Sequence, residues 1–218
     1  MRTFLERDIP RLGITIPAET LRRFWTMVAH YHGQVWNAAQ FARSIGTSET
    51  TARSYLDILA GAYMVRVLPP WFENLRKRQV KAPKTFVRDS GILHALLQLT
   101  TLTDVQSHPK LGASWEGFAL EQVVGALRTR DAYFWATHGG AELDLFVRIA
   151  GKRYGFALKY ADAPAASRSM HVAIQDLSLE HLWVVYPGDQ EYALDDKISV
   201  IPLASIPRPA PALQQGRE

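Results

Sequence analysis

The sequence predicts an α/β chain in two parts: a helical first half ending in a short β-hairpin, then a mixed sheet flanked by helices. Three observations carry this. Apolar residues recur at spacings of three and four early in the chain, the period of a helix with one buried face. Four β-rich runs, "AYFWAT", "ELDLFVRI", "RYGFALKY" and "HLWVVYP", follow residue 130, with a helical stretch between the last two. Charge is divided as well: residues 1–100 carry 14 Lys and Arg against 7 Asp and Glu, whereas the remainder carries 11 against 14. A basic first half beside a mildly acidic second half suggests two modules, the first facing a polyanion.

The elements follow in order. "IPAETLRRFWTMVAHYHG" opens at Pro17, sets Leu21, Phe24, Trp25 and Val28 on one face, and stops at Gly33. Asn37 to Ile45 forms a short helix capped by Asn37. After a turn at Gly46-Thr47, a second helix runs from Ser48 to Ala60, capped by Thr47 or Ser48. Two helices joined by a short turn containing glycine make a helix-turn-helix. "YMVRVLPPWF" reads as a strand, and "NLRKRQVKAPKTFVRD" as a turn, a basic segment and a second strand, which completes a winged helix. Beyond Ser90, "GILHALLQLT" is a short helix and "TLTDVQSHPKLG" a polar connector. "SWEGFALEQVVGALRT" is an amphipathic helix capped by Ser114, with Trp115, Phe118, Val123 and Leu127 on one side. The expected domains are residues 1–89 and 90–205, followed by a Pro-rich tail, residues 206–218.

Composition narrows the function classes. At 218 residues and 47% hydrophobic content the chain has material for real cores. The absence of cysteine removes disulfides, thiolate zinc sites and thiol catalysis, and suits a reducing compartment. There is no signal-peptide pattern and no apolar run of roughly 18 residues, so a cytoplasmic protein without a membrane segment is expected. None of the histidines stands at a metal-ligand spacing, and Trp71 is the one aromatic beside the basic segment.

Two stretches carry candidate chemistry. In the expected wing, Arg76, Lys77, Arg78, Lys81 and Lys84 follow one another with no acidic residue between them. So placed, they would track a phosphate backbone. On the second helix of the helix-turn-helix only Arg53 is a strong base reader, and Glu49 opposes phosphate. Weak, nonspecific DNA contact or a protein-docking role follows. In the second stretch, "ELDLFVRIAGKRYGFALKYADAP", Glu142 and Asp144 share one strand face and Ala157 and Lys159 share another. A turn at Ala150-Gly151-Lys152 would bring them together at one end of the hairpin. Such carboxylates suit magnesium, and a lysine there would steady charge on a phosphorane. A further carboxylate is needed, from Glu142 or from Glu116 or Glu121 on the preceding helix.

This hairpin resembles the core of the PD-(D/E)xK nuclease-like superfamily, with Asp144 matching the first acid and Lys159 the lysine. Glu116 in "WEGFALEQ" looks like the preceding acid-bearing helix. The chain at large is similar to the C-terminal part of a family of prokaryotic AAA-type ATPases, the region known as domain-of-unknown-function family 4143. The likeness is carried by "FLERDIPRLG", "LPPWFENLRKRQVKAPKTFVRDSGILHALL", "WEGFALEQV" and "LWVVYPGDQEYAL". It implies a winged helix followed by a nuclease-like domain. Two departures qualify it. No G-x-x-x-x-G-K-[ST] loop is present, so the ATPase module of the relatives is expected to be missing. Ala157 stands where the family pattern places Glu. The resulting expectation is a non-catalytic nucleic-acid-binding or docking protein in which Asp144, Lys159 and Glu116 are vestigial, with no cofactor. Its alternatives are a magnesium-dependent DNA nuclease using Asp144 and Glu142, and a subunit docking on a separately encoded AAA-type ATPase.

Overall fold

The structure, a computed structural model, describes residues 2–73 and 77–206. It combines helices with two sheets, in agreement with the α/β class, and divides into two compact units. Of the described residues, the first contains those up to 67 and 85–110, and the second those of 68–84 and from 111 to 206; beyond residue 206 the expected Pro-rich tail lies outside the described residues. The division therefore differs from the expected boundary at residue 89. Residues 68–84, expected as a hairpin of the first domain, belong to the second unit, and residues 90–110 to the first.

The first unit opens with a helical segment, Phe4–Asp8, running into α1 (Ile9–Arg11). Helix α2 (Ala18–His30) buries Leu21, Phe24, Trp25 and Val28, the face that its spacing predicts. Strand β1 (Gln34–Val35) leads to α3 (Ala38–Ile45) and α4 (Glu49–Gly61). Asn37 caps α3, its side chain accepting from Gln40 N at 3.1 Å, and Ser48 caps α4 through Thr51 N at 3.1 Å. Between them Gly46, at φ 69°, takes the left-handed conformation that closes a helix. Phe24 is the hub of the packing, meeting Trp36, Phe41 and Tyr55 edge-on at 5.5–6.1 Å. Strands β2 (Val65–Leu68) and β3 (Lys84–Val87) join β1 in a three-stranded sheet of order β1-β3-β2. Buried His32 fastens this sheet to the end of α2, its Nδ1 accepting from Val87 N at 3.0 Å, so it is a core histidine. Helix α5 (Ser90–Leu96) follows, and the expected polar connector holds a further helix, α6 (Leu102–Ser107), which starts at a Thr101–Asp104 capping box.

The second unit centres on α7 (Leu111–Leu127) and a six-stranded sheet. Helix α7 starts one turn before the expected cap. Ser114 is inside the helix and buried, while Phe118, expected on the buried side, is 39% exposed. The strands are β4 (Ala132–Ala136), β5 (Glu142–Ile149), β6 (Lys152–Leu158), β7 (His181–Tyr186), β8 (Tyr192–Asp195) and β9 (Ile198–Pro202). Helix α8 (Arg168–Leu177) connects β6 to β7. The order is β4-β5-β6-β7-β9-β8, antiparallel through β6, parallel from β6 to β7 and β7 to β9, and antiparallel again at β8. Two more strands are present than the four expected. The β5–β6 turn falls where expected, with Ala150 at φ 51° and Gly151 at φ 78°, the two left-handed residues of a tight hairpin turn.

One irregularity in β5 sets the faces of this sheet. Tyr133 pairs with Phe146, yet Trp135 pairs with Leu143, so β5 spends one residue more than β4 between the two pairs. This is a β-bulge, and it lies at Asp144-Leu145. In consequence Leu143 and Phe146 share a face and enter one core with Trp135, Ala157, Val184 and the α8 residues Met170, Ala173 and Leu177. Gly155 is closely packed there: a Cβ would stand 2.8 Å from Leu179 Cδ1, so a larger residue would displace that side chain. The opposite face carries Phe134 and is the one near α7.

Residues 69–71 and 78–80 lie along the outer edge of β4. Trp71 N donates to Phe134 O at 2.7 Å, Phe134 N to Pro69 O at 3.0 Å, and Val80 N to Ala136 O at 3.0 Å. An exposed strand edge is thereby covered. Gln79 locks this cover: its Oε1 accepts from Trp135 Nε1 at 3.1 Å and from Glu73 N at 3.1 Å. Trp71 packs on Phe146 at 4.7 Å and under Arg148 at 5.0 Å, so it serves the fold rather than a base-stacking platform.

Candidate functional site

The bulge in β5 delivers Glu142 and Asp144 to the α7 side of the sheet, and α7 brings Glu116 to meet them. At the centre of the three stands Lys84. Its Nζ donates to Glu116 Oε1 at 3.3 Å and to Glu142 Oε1, and lies 5.5 Å from the centre of the Phe134 ring. Lys84 is only 5% exposed. Burial by itself would lower its pKa, but the attraction of Glu116, Glu142 and Asp144 outweighs burial and raises it above the ordinary lysine value. The ammonium is therefore charged at neutral pH. Glu116 moves in the other direction: burial, with Asp144 next and Glu142 adding, pushes its carboxyl up to about 7 against the pull of Lys84.

Asp144 is held on the other side of the cluster. Its Oδ2 accepts from Leu158 N at 2.8 Å and sits 3.5 Å from Lys159 Nζ. The structure thus brings together Glu116, Glu142, Asp144 and Lys159, as the sequence suggests, and adds Lys84, which the sequence places elsewhere. Ala157 is not beside them. Strand alternation turns Gly155 and Ala157 toward α8, and Ala157 is 4% exposed within that apolar core. The gap read at Ala157 is therefore filled by core packing.

These donors do not fit a divalent cation. Magnesium takes one or two carboxylates with space for waters and phosphate oxygens, whereas here an ammonium already bonds two of the three carboxylates and a backbone amide occupies the third. Among the described residues no group of three His, Cys, Asp or Glu side chains is arranged to hold a metal ion. Chemically the cluster is an internally compensated charge site.

The basic residues fall apart into different environments. Arg53 is exposed on α4 in the first unit. Arg76 lies outside the described residues. Lys77, Arg78 and Lys81 are exposed on the cover strand of the second unit, with Lys77 bound to Asp176 Oδ2 at 2.6 Å. Lys84 is the correction in this set: buried and bonded to carboxylates, it has no access to a phosphate. Its position separates it from its neighbours only in the folded chain, where it opens the strand "KTFV", whose four residues are all buried.

A model of a domain of unknown function, DUF8612, matches residues 1–103, and a second, DUF4143, matches residues 111–206. Two curated mycobacterial proteins are similar to the chain: "Uncharacterized protein Mb2031c" of Mycobacterium bovis and "Uncharacterized protein Rv2008c" of Mycobacterium tuberculosis. Each is 50% identical over 204 residues, which is 94% of this chain and 46% of the relative. The chain thus spans about half the length of the curated relatives it matches. No solved structure matches it. Among the described residues no helix is long and apolar enough to cross a membrane. The DUF4143 match begins at Leu111, the first residue of α7, and so takes in the whole six-stranded sheet and both carboxylate-bearing elements, α7 and β5.

Proposed function

We propose that the chain is a non-catalytic nucleic-acid-binding module in which a nuclease-like sheet is retained as a scaffold and its acidic site is closed by Lys84. The observation that carries this reading is the Lys84 ammonium bonded to Glu116 and Glu142 beside Asp144, in the place a metal ion would need. A charge held there by the protein costs no ion binding and leaves no vacant ligand position for an attacking water. The order of elements supports the scaffold half: α7, three antiparallel strands, α8 and a strand parallel to β6 is the succession that the resemblance implies. Support for the binding half comes from the first unit, where the succession α2, β1, α3, α4, β2 and β3, with sheet order β1-β3-β2, is compatible with the winged helix that the sequence suggests. Fold alone assigns no function, so the test is binding. Duplex DNA should be retarded by the full chain at low salt and released as salt rises, because backbone contacts displace counterions. A native chain that retards no nucleic acid at low salt refutes the reading.

A further inference from the structure

We infer that a basic cavity in the second unit binds the phosphodiester backbone of a single nucleic-acid strand. This rests on the nucleic-acid-binding reading above and gives it a location. The cavity encloses about 470 Å³ and is lined by Lys77, Arg78, His138 and Arg168 around the backbone of Gly139-Gly140. That volume is in the range that encloses a small ligand, and no acidic residue lines it. Among the described residues neither the Arg78 nor the Arg168 guanidinium is paired with a carboxylate. Lys77 is held at the rim by Asp176, at 2.6 and 2.8 Å from its two carboxylate oxygens, which spends part of its charge and fixes its position.

The backbone adds to the cations. Arg168 and Ser169 are the first two residues of α8, where helix amides lack partners within the helix and the dipole is positive. Gly140, at φ 87°, lets the β4–β5 turn pass the cavity without a side chain. A second hollow of about 620 Å³ shares Lys77, Arg78 and His138 and continues to Lys81 and Phe72. Phe72 is 51% exposed. A row of cations ending at an exposed ring is the combination that single strands use, charge following the phosphates and the ring stacking a base. A duplex keeps its bases stacked on one another and offers none to Phe72.

The test is fluorescence anisotropy with the full chain and a labelled oligothymidylate of about 20 nucleotides, with a duplex of equal length as the second probe. The native chain should bind the single strand more tightly than the duplex. The double variant Arg78→Ala, Arg168→Ala should bind the single strand at least tenfold more weakly, and its log–log salt slope should shrink by about 1.4, two phosphates at about 0.7 each. Phe72→Ala should weaken binding about fivefold or more and leave the slope unchanged. Native binding that the double variant leaves intact overturns the cavity while leaving the nucleic-acid reading standing. A preference for duplex overturns the single-strand assignment, and absence of binding to either probe overturns both.

Discussion

Replacing Lys84 by methionine keeps most of the side-chain volume and removes the one positive charge at the centre of the carboxylate cluster. Glu116, Glu142 and Asp144 would then face one another with only Lys159, 3.5 Å from Asp144 at the edge of the cluster, as a counter-charge. Removing one partner of a buried ion pair costs about 3–5 kcal/mol, most of it the price of the charge left behind. Glu142 is partly open to solvent, its side chain 44% exposed, which places the expectation near the low end, about 3 kcal/mol at pH 8. For a transition of this size that is a fall in Tm of roughly 6–12 °C. Acid should relieve it. Glu116, already pushed up to about 7, takes a proton first, and its neutral carboxyl no longer repels Glu142 and Asp144. At pH 5.5 the deficit should shrink to about 1 kcal/mol, the worth of a lost hydrogen bond. Thermal or urea unfolding of both proteins at the two pH values measures this. A deficit under about 1 kcal/mol at pH 8, or one independent of pH, refutes the charge-compensation argument.

Three other outcomes follow from the same geometry. Because the folded pKa of Glu116 is raised, its contribution to stability is complete below its unfolded value of 4.5 and is lost as pH rises through about 7. Glu116→Gln should therefore flatten the fall in Tm between pH 5 and 8, a range over which the shift represents roughly 3 kcal/mol, and an unchanged profile would exclude Glu116 as its source. Ala157→Glu should destabilise the second unit by several kcal/mol, since the new carboxylate enters the apolar core under α8, and it should create no metal-dependent nicking; a stable, nicking variant would return Ala157 to the carboxylate site. Gly155→Ala, with its Cβ 2.8 Å from Leu179 Cδ1, should lower stability by about 1–3 kcal/mol, and a rise in Tm would mean that Leu179 and Leu143 give way freely.

Local signals in the sequence were sufficient wherever one residue type controls one geometry. Asn37, Gly46 and Ser48 delimit α3 and α4 as their capping chemistry requires, and the Ala150-Gly151 turn fixes the β5–β6 register. Strands β8 and β9 were missed because "YALDDKISVIP" is short and its first strand alternates between half-buried and exposed residues, leaving little apolar pattern to read. The candidate site was legible as a set of residue types and misread in its geometry. A β-bulge is invisible to strict alternation, and it is the bulge at Asp144-Leu145 that separates the carboxylate face from the Ala157 face. Lys84 was misplaced for a different reason. Five basic residues in nine positions look like one surface, but the segment runs from an exposed cover strand into a buried one, and only tertiary packing distinguishes Lys81 from Lys84.

The central claim, nucleic-acid binding without cleavage at a site closed by its own lysine, meets its most direct test with supercoiled plasmid. The native chain is incubated with the plasmid and Mn²⁺ at low salt, and the DNA is resolved with protein bound and again after its removal. The account predicts a retarded band while protein is bound and intact supercoiled plasmid once it is removed. Nicked or linear product that disappears in Asp144→Asn would contradict it.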